Sequence, residues 1–506
     1  MQGRRAEHGP CAEVLARVRF MSMRPVNLVT DERQQSGWGA QHPELGEVFD
    51  AVRAELKVPG DFPPEAIAEA RARAAGASLP SRDETSVPFL TVGPRASRDL
   101  DQAMYIERAG EGYRVRYAIA DVTPFVRPGG EIDIESFKRR QAVYAPDRCT
   151  PLYPEQLSRD AASLLPNQVR AAFVWDIQLD SDGEGTSVEV YRAMVSSKDR
   201  VDYSQVQDAV DRGTADERLS MLKEVGERRI AMEWARGGAS LPIPEQDVSL
   251  DADGHYVMAL RPPLPAQDWT VQISLMIGIA AAEMMLHAEV GILRTMPEPD
   301  PHVVQRFRRQ ARALGVTWPA ETLYGELLRS LDRTNPRHLG LMHEATWLFS
   351  GVGAGYSFFD GGVPEQTMHA VVAAPYAHVT APLRRLVDRF ALVVCESICH
   401  DVPVPDWVRQ GLPVMPEIMT ASDRLADAVE RTCADAVKAA TLRHRVGETF
   451  RGSIVDVASD GALVQISDPT ILAPVAGRCS AGAEVTVRLI EADVARCSVR
   501  FQKESG

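Results

Sequence analysis

The stretch Gly93-Pro94-Arg95-Ala96-Ser97-Arg98-Asp99-Leu100-Asp101-Gln102-Ala103-Met104 is a polar loop that carries two aspartates one residue apart. A short apolar run, Phe89 to Val92, precedes it, and a strand-like segment reaching Tyr105 and Ile106 follows. The aspartates therefore sit on a connection between strands. A polar loop held by rigid strands is a place where carboxylates converge on a hard cation, and magnesium prefers a few carboxylate oxygens while keeping its waters. Taken alone, Asp-x-Asp in a loop equally suits an Asx turn or a solvated bend.

Around this loop the chain is long enough for several domains. At 506 residues it exceeds what one hydrophobic core organises, and roughly two to four domains are expected. Charged residues make up 25% and apolar residues 45%, an ordinary balance for a folded protein that argues against extensive disorder. The formal net charge of −14 opposes a nucleic-acid partner overall, although a channel can still be locally basic. Seven cysteines are scattered without the paired spacing of a zinc site, and their odd number fits a reduced, cytoplasmic setting. The most apolar window, Ile273 to Leu286, is interrupted by Glu283 and reads as a buried helix, with no membrane partner expected. Arg4 and Arg5 are not followed by the apolar core of a signal peptide. Met21 and Met23 are alternative starts, and the first twenty residues are expected to be poorly ordered.

Residues 1–80 read as a small helical module, possible in a helix-turn-helix-like form. Leu45, Val48, Phe49, Val52 and Leu56 fall at helical spacing, and Pro63-Pro64 opens a second helix that Gly76 and Pro80 close. After Pro80 the pattern turns to strands, including Tyr113 to Asp121 and Ala172 to Leu179, and from Trp269 to helices, one of them beginning at Thr380. Strands followed by helices suggest one large α+β domain. A long helix, Ala421 to Arg445, leads into the last 60 or so residues, where short strands separated by glycines suit a small barrel.

Four more segments bear on the aspartate loop. They are Ile119-Ala-Asp-Val122; Ala142-Val-Tyr-Ala-Pro-Asp-Arg-Cys-Thr-Pro to Ser158 with Ser163-Leu-Leu165; Tyr376-Ala-His-Val-Thr-Ala-Pro-Leu-Arg-Arg-Leu-Val-Asp388; and Glu430-Arg431. With Arg98-Asp-Leu-Asp101 and the terminal barrel, in this order, they make residues 81 to 506 resemble the ribonuclease II and ribonuclease R family. The resemblance implies an RNB catalytic domain (81–446, a mixed sheet plus helices) and an S1-like OB-fold (447–506). It implies hydrolysis of single-stranded RNA from the 3′ end to 5′-mononucleotides with Mg2+, by a protein expected to be a monomer.

Residue by residue, Asp99 and Asp101 match the family's metal-site aspartates, with Asp101 the most sensitive. Gly93 and Gln102 stand where the family usually has two further aspartates; a glutamine carbonyl can ligate magnesium, but without charge. Asp121 reads as a satisfied strand-end carboxylate that could assist. Arg384 matches the arginine beside the scissile phosphate, where a planar guanidinium grips two oxygens; its local alternative is an i,i+4 pair with Asp388 on a helix capped by Thr380. Tyr144 matches an aromatic that stacks on the terminal base, and Glu430 a glutamate near the exit from the site. Cys395 and Cys399 share a helix face and read as core thiols. Because the matched metal residues and Arg384 all precede Gly447, loss of 447–506 is expected to weaken RNA binding and leave slow hydrolysis. The rival reading is an RNA-binding protein that kept the fold but lost catalysis through Gly93 and Gln102.

Overall fold

The computed structural model describes residues 43–94, 97–239, 245–250, 256–261, 264–313, 315–319, 321–332, 335, 338, 341, 342, 345, 354–458 and 461–504. The expectations for the first twenty residues, for a start at Met21 or Met23 and for most of the module before Pro43 lie outside the described residues. What is described of residues 1–80 is two helices, α1 (Pro43–Glu55) and α2 (Pro64–Gly76), at the two apolar periodicities read above.

The strands that follow are β1 (Phe89–Val92), β2 (Gln102–Ala109) and β3 (Gly112–Ala120). Next come α3 (Glu131–Arg139), a hairpin of β4 (Val143–Tyr144) and β5 (Cys149–Thr150), a π-helical turn at Leu157–Ala161, β6 (Val169–Leu179) and β7 (Gly185–Val201). The large sheet is closed: β1, β2, β3, β6 and β7 pair antiparallel in that order, and β7 returns to pair parallel with β1. Periodicity forecasts only an α+β domain and the resemblance a mixed sheet; closure rests on the β1–β7 pairing, a contact between segments about a hundred residues apart. Tyr113, Tyr117, Phe89, Phe173 and Trp175 are fully buried within it.

Helices cover this barrel. They are α4 (Tyr203–Asp211), α5 (Glu217–Arg236) and, after β8 (Glu245–Leu250) and β9 (Tyr256–Arg261), α6 (Pro265–His287). Helix α6 has 23 residues and is long and apolar enough to cross a membrane by length and composition. In this fold it packs against α5, β10 (Val290–Thr295) and the later helix Leu386–Cys399; Ile273, Ile277 and Ala281 are fully buried. Then come α7 (Pro301–Ala313), α8 (Tyr324–Arg329), β11 (Gly355–Asp360), β12 (Met368–His369), β13 (Ala374–Pro375), α9 (Leu386–Cys399), α10 (Asp406–Gly411) and α11 (Met415–Leu442).

The helix expected from Thr380 begins instead at Leu386. Asp388 explains the delay: its Oδ1 accepts from the Ala381 amide at 2.6 Å, and both its oxygens accept from Arg385. The carboxylate thereby holds residues 381–385 as a non-helical turn.

The chain ends in a second closed barrel, β14 (Thr449–Ala458), β15 (Gly461–Ser467), β16 (Thr470–Ala476), β17 (Glu484–Asp493) and β18 (Ser498–Lys503). Strand β16, unremarked in the sequence pattern, closes it through a parallel pairing with β18. The barrel packs on elements from elsewhere in the chain. Ile454, Val464, Val487 and Phe501 of the barrel share one hydrophobic cluster with Leu45, Phe49 and Val52 of α1 and Val429, Cys433 and Val437 of α11. Removing residues 447–506 would strip that cluster of its larger half, so the deletion tests folding rather than RNA binding alone.

Candidate functional site

The aspartate loop is pinned by the segment Ser163-Leu164. Ser163 Oγ accepts from the Leu100 amide at 2.9 Å and donates to the Arg98 carbonyl at 2.6 Å, while the Leu164 amide donates to the Leu100 carbonyl. Leu100 is buried in the main core, so the two residues flanking it are held at a fixed height. One of them, Asp101, is 3% exposed; the other, Asp99, stays partly open.

Facing them is the turn 381–385. It reaches the loop because residues 376 and 377 lie flush on α6 at Gly278, where a Cβ would stand 2.1 Å from the Tyr376 ring; the Ala377 amide donates to the Gly278 carbonyl at 3.0 Å. Asp101 then accepts from the Leu383 amide at 2.8 Å and from Arg384 Nε at 2.5 Å. Residues 283 apart in sequence thus form the central ion pair. The i,i+4 alternative for Arg384 is not realised, since its neighbour Arg385 is the partner of Asp388. The tandem arginines admit either pairing, and only i,i+3 versus i,i+4 geometry in the folded turn separates them.

The turn also carries Tyr144. The Ala142 amide donates to the Arg384 carbonyl at 2.8 Å, which sets the start of β4, and the Tyr144 hydroxyl donates to Asp99 Oδ2 at 3.0 Å. Its side chain is 48% exposed. Four of the sequence-derived site residues, Asp99, Asp101, Tyr144 and Arg384, therefore converge. Burial pushes the Asp101 carboxyl up to about 6; Arg384 opposes this, and the Asp99 charge adds to it.

The others are placed elsewhere. Gln102 was expected beside a cation, but its amide is committed at both ends: Tyr117 donates its hydroxyl to Oε1 at 2.6 Å, and Nε2 donates to the Thr380 carbonyl at 2.5 Å. Gln102 braces the aspartate loop to the arginine turn, a bond an aspartate cannot donate. Glu430 lies on α11 with Asp427 and Arg431 as its charged neighbours, its carboxyl pushed up to about 8 by burial and then by Asp427, and it shares no hydrogen bond or ion pair with the four among the described residues. Asp121 is fully buried; Oδ1 accepts from the Thr123 amide and hydroxyl, while Oδ2 has no hydrogen-bond partner among the described residues and only faces Arg192 Nε at 3.5 Å, so the strand-end carboxylate is half satisfied rather than satisfied as the sequence suggests. Cys395 is buried and Cys399 half-buried, both free, as core thiols.

Sequence reasoning gave no site role to Ser163, Tyr117 or Arg385 and read Thr380 only as a helix cap, although all lie in or near the segments that carried the resemblance. It also passed over His378 inside that turn's approach, whose Nδ1 meets the Tyr356 hydroxyl at 3.0 Å and whose pKa burial drives well below its ordinary value.

The brace makes a testable statement about Gln102. Gln102→Glu keeps the length but sets a carboxylate oxygen against the Thr380 carbonyl, and the expected cost is about 1–3 kcal/mol of stability for a buried acceptor left without a donor. Thermal unfolding read by circular dichroism checks it; an unchanged midpoint would show that the amide carries no structural load.

Among known proteins, the family model for the RNB domain matches residues 81–398, and that for the RNase II-type exonuclease C-terminal S1 domain matches residues 448–504. A curated relative, Ribonuclease R of Thermotoga maritima, is 26% identical over 444 residues, which cover 83% of this chain and 62% of the relative. The chain thus spans less than two thirds of that relative's length. The solved structure of Mycoplasma genitalium RNase R in complex with ribose methylated single-stranded RNA superposes with a TM-score of 0.80 at 20% identity, covering 91% of this chain and 78% of that one. Yeast Ssd1, described as a pseudonuclease, superposes with a TM-score of 0.63 at 17% identity, covering 82% and 54%.

Proposed function

The chain belongs to the RNB-domain family, and from that premise we propose that it is a 3′-to-5′ exoribonuclease that hydrolyses single-stranded RNA to 5′-mononucleotides, acting as a monomer in the cytoplasm. The observation that carries the reading is the convergence of Asp101, Asp99, Arg384 and Tyr144. Two carboxylates, one guanidinium and one half-exposed ring are what a phosphodiester next to a terminal base requires. Asp101 and Leu383 hold Arg384 at the site, where its remaining guanidinium donors can take phosphate oxygens. Tyr144, whose stacking face accepts any base, would fix the last nucleotide against that group.

Metal dependence belongs to the RNB family, and magnesium is the finer proposal. The donor set supports a single ion. No group of three or more histidine, cysteine or acidic side chains placed to hold a metal ion is present among the described residues; the carboxylates at the site are Asp99 and Asp101, the latter also accepting from Leu383 and Arg384, and magnesium is commonly held by one or two carboxylates together with substrate phosphates and water. Such an ion would activate water and offset charge growing on the phosphate oxygens. At Gly93 an added Cβ would meet nothing within 4 Å, so the backbone there tolerates a side chain at the position where the resemblance expects an aspartate.

A second reading, RNA binding without hydrolysis, draws support from the same short donor set and from Gln102 being engaged by Tyr117 and Thr380. The fold by itself does not decide, because function resides in the site. Incubation of the protein with 5′-labelled and 3′-labelled oligoribonucleotides, with magnesium and with chelator, separates the readings. The expected result is a ladder of progressively shorter 5′-labelled products, immediate mononucleotide release from the 3′-labelled strand, no reaction in chelator, and little cleavage of DNA of the same sequence, since the 2′-hydroxyl distinguishes the two. Tight binding without cleavage at any metal concentration would establish the second reading, and equal cleavage of DNA would point to a general nuclease.

A further inference from the structure

The hairpin that carries Tyr144 cannot hold its own shape. Strands β4 and β5 have two residues each, joined by a turn in which the Ala145 amide donates to the Arg148 carbonyl at 3.1 Å, and an isolated hairpin of even greater length is marginal in water. Its root is tied to Arg384 through Ala142. Its tip is tied to α1, which lies outside both matched domains.

That second tie is an ion-pair network. Arg53 donates from Nη1 to Asp147 Oδ1 and from Nη2 to Asp147 Oδ2, both at 2.7 Å, the fork-on-carboxylate geometry that resists rotation about either side chain. Arg53 is only 6% exposed. Asp50, one turn earlier on α1, accepts from Arg53 at 2.7 Å and from Arg148 at 2.9 Å, so the helix grips both residues at the hairpin tip. Beneath the charges, Val143 of β4 shares the apolar cluster of Leu45, Phe49 and Val52. The Tyr144 hydroxyl, at the other face of the same two-residue strand, reaches Asp99.

We propose that Arg53 is a positioning residue for the substrate's 3′ end, and that α1 works as part of the active site by clamping Asp147 so that the Tyr144 ring is held over Asp99. The inference rests on the reading of Tyr144 as the base-stacking group, and it assigns the N-terminal helical segment a task in handling RNA. Surface ion pairs between flexible side chains do little. This one is bidentate and largely shielded, and it fixes the hairpin tip, whereas the packing of Val143 on α11 and the Gln141 bond to the Ser422 carbonyl hold its root.

A double-mutant cycle tests it. Arg53→Ala, Arg53→Lys, Asp147→Asn, Tyr144→Ala and the pairwise combinations with Tyr144→Ala are assayed for KM and kcat on a single-stranded oligoribonucleotide, and for affinity toward the same strand bearing a fluorescent base analogue at its 3′ end in chelator. Unfolding midpoints are recorded alongside. Arg53→Ala is expected to raise KM and weaken 3′-end binding by about tenfold with kcat little changed, and to have almost no further effect once Tyr144 is alanine, a coupling typical of residues that share a contact path. Arg53→Lys should recover only part of the loss, because an ammonium cannot make the fork. Equal effects of Arg53→Ala in the presence and absence of Tyr144 would overturn the proposal, as would tenfold weakening by Asp147→Asn that persists in the Tyr144→Ala background. If the wild-type protein binds the strand but does not cleave it, the hydrolase reading fails while the binding arm of the cycle still decides the role of Arg53. Should Arg53→Ala not fold, Asp147→Asn and Arg53→Lys carry the same comparison.

Discussion

Asp101→Asn should abolish RNA hydrolysis, by roughly 10³-fold or more, equivalent to about 4 kcal/mol of transition-state stabilisation, while RNA affinity stays within about threefold because the change leaves the rest of the surface intact. The asparagine keeps an oxygen for the Leu383 amide but turns an NH2 group toward Arg384 Nε, which Asp101 Oδ2 now accepts at 2.5 Å. One negative charge is lost from a site that has two. Stability carries two opposing effects, the cost of leaving Arg384 Nε against a donor and the gain of removing a carboxylate whose ionised form burial disfavours, and pH separates them. The Asp101 carboxyl titrates at about 6 in the folded chain against an ordinary 3.8, so between those values the native state binds more protons than the unfolded chain. Stability therefore falls as pH rises across that window, the sign expected for a buried carboxylate whose ionised form is held at a cost. The variant, which does not titrate there, should lack that fall. A labelled-strand assay, a gel-shift titration and unfolding scans in chelator at pH 4.5 and 7 check the three statements together. Residual cleavage within a few-fold of wild type would remove Asp101 from the chemistry.

Arg384→Ala is expected to lower the rate by about 10²–10³-fold, the usual cost of removing one preorganised donor from the place where charge develops. Arg384→Lys should restore no more than a small part, since the ammonium is a point donor and the site uses a planar group that touches Asp101 with Nε and keeps its two Nη groups for another anion. The pattern distinguishes a catalytic guanidinium from a structural one. If Arg384 only neutralised Asp101, lysine would serve nearly as well, and substrate affinity and rate would recover together. Single-turnover rates with saturating enzyme provide the measurement, because they report the chemical step without product release. Equal single-turnover rates for wild type and Arg384→Ala would confine the arginine to folding.

The amphipathic period of α1, the run opened by Pro63-Pro64, the alternation of β3 and the glycine-punctuated strands of the terminal barrel are local properties, and each was legible because side-chain spacing along one element is written directly in the chain. The same holds for the identities of Asp99, Asp101, Tyr144 and Arg384, which could be chosen by their motifs before any contact was known. Other decisions depended on which of two chemically equivalent groups meets a distant partner. Arg384 and Arg385 are adjacent and identical in chemistry, and the turn that Asp388 holds open by accepting from Ala381 sends one of them to Asp101 and the other back to Asp388. Gln102 occupies the place of a metal-site aspartate, yet its amide has both a donor and an acceptor, and Thr380, 278 residues away, takes the donor that a carboxylate lacks. Glu430 had a motif but no neighbour among the four. The tip of the Tyr144 hairpin depends on Arg53 from a helix whose own sequence speaks only of its apolar face. Local spacing thus determined the elements and the family resemblance the roster of reactive groups, whereas barrel closure, the choice of ion-pair partner and the union of α1 with the site were left to tertiary structure, because hydrogen bonds and charges select partners by distance in space and the chain records only distance along itself.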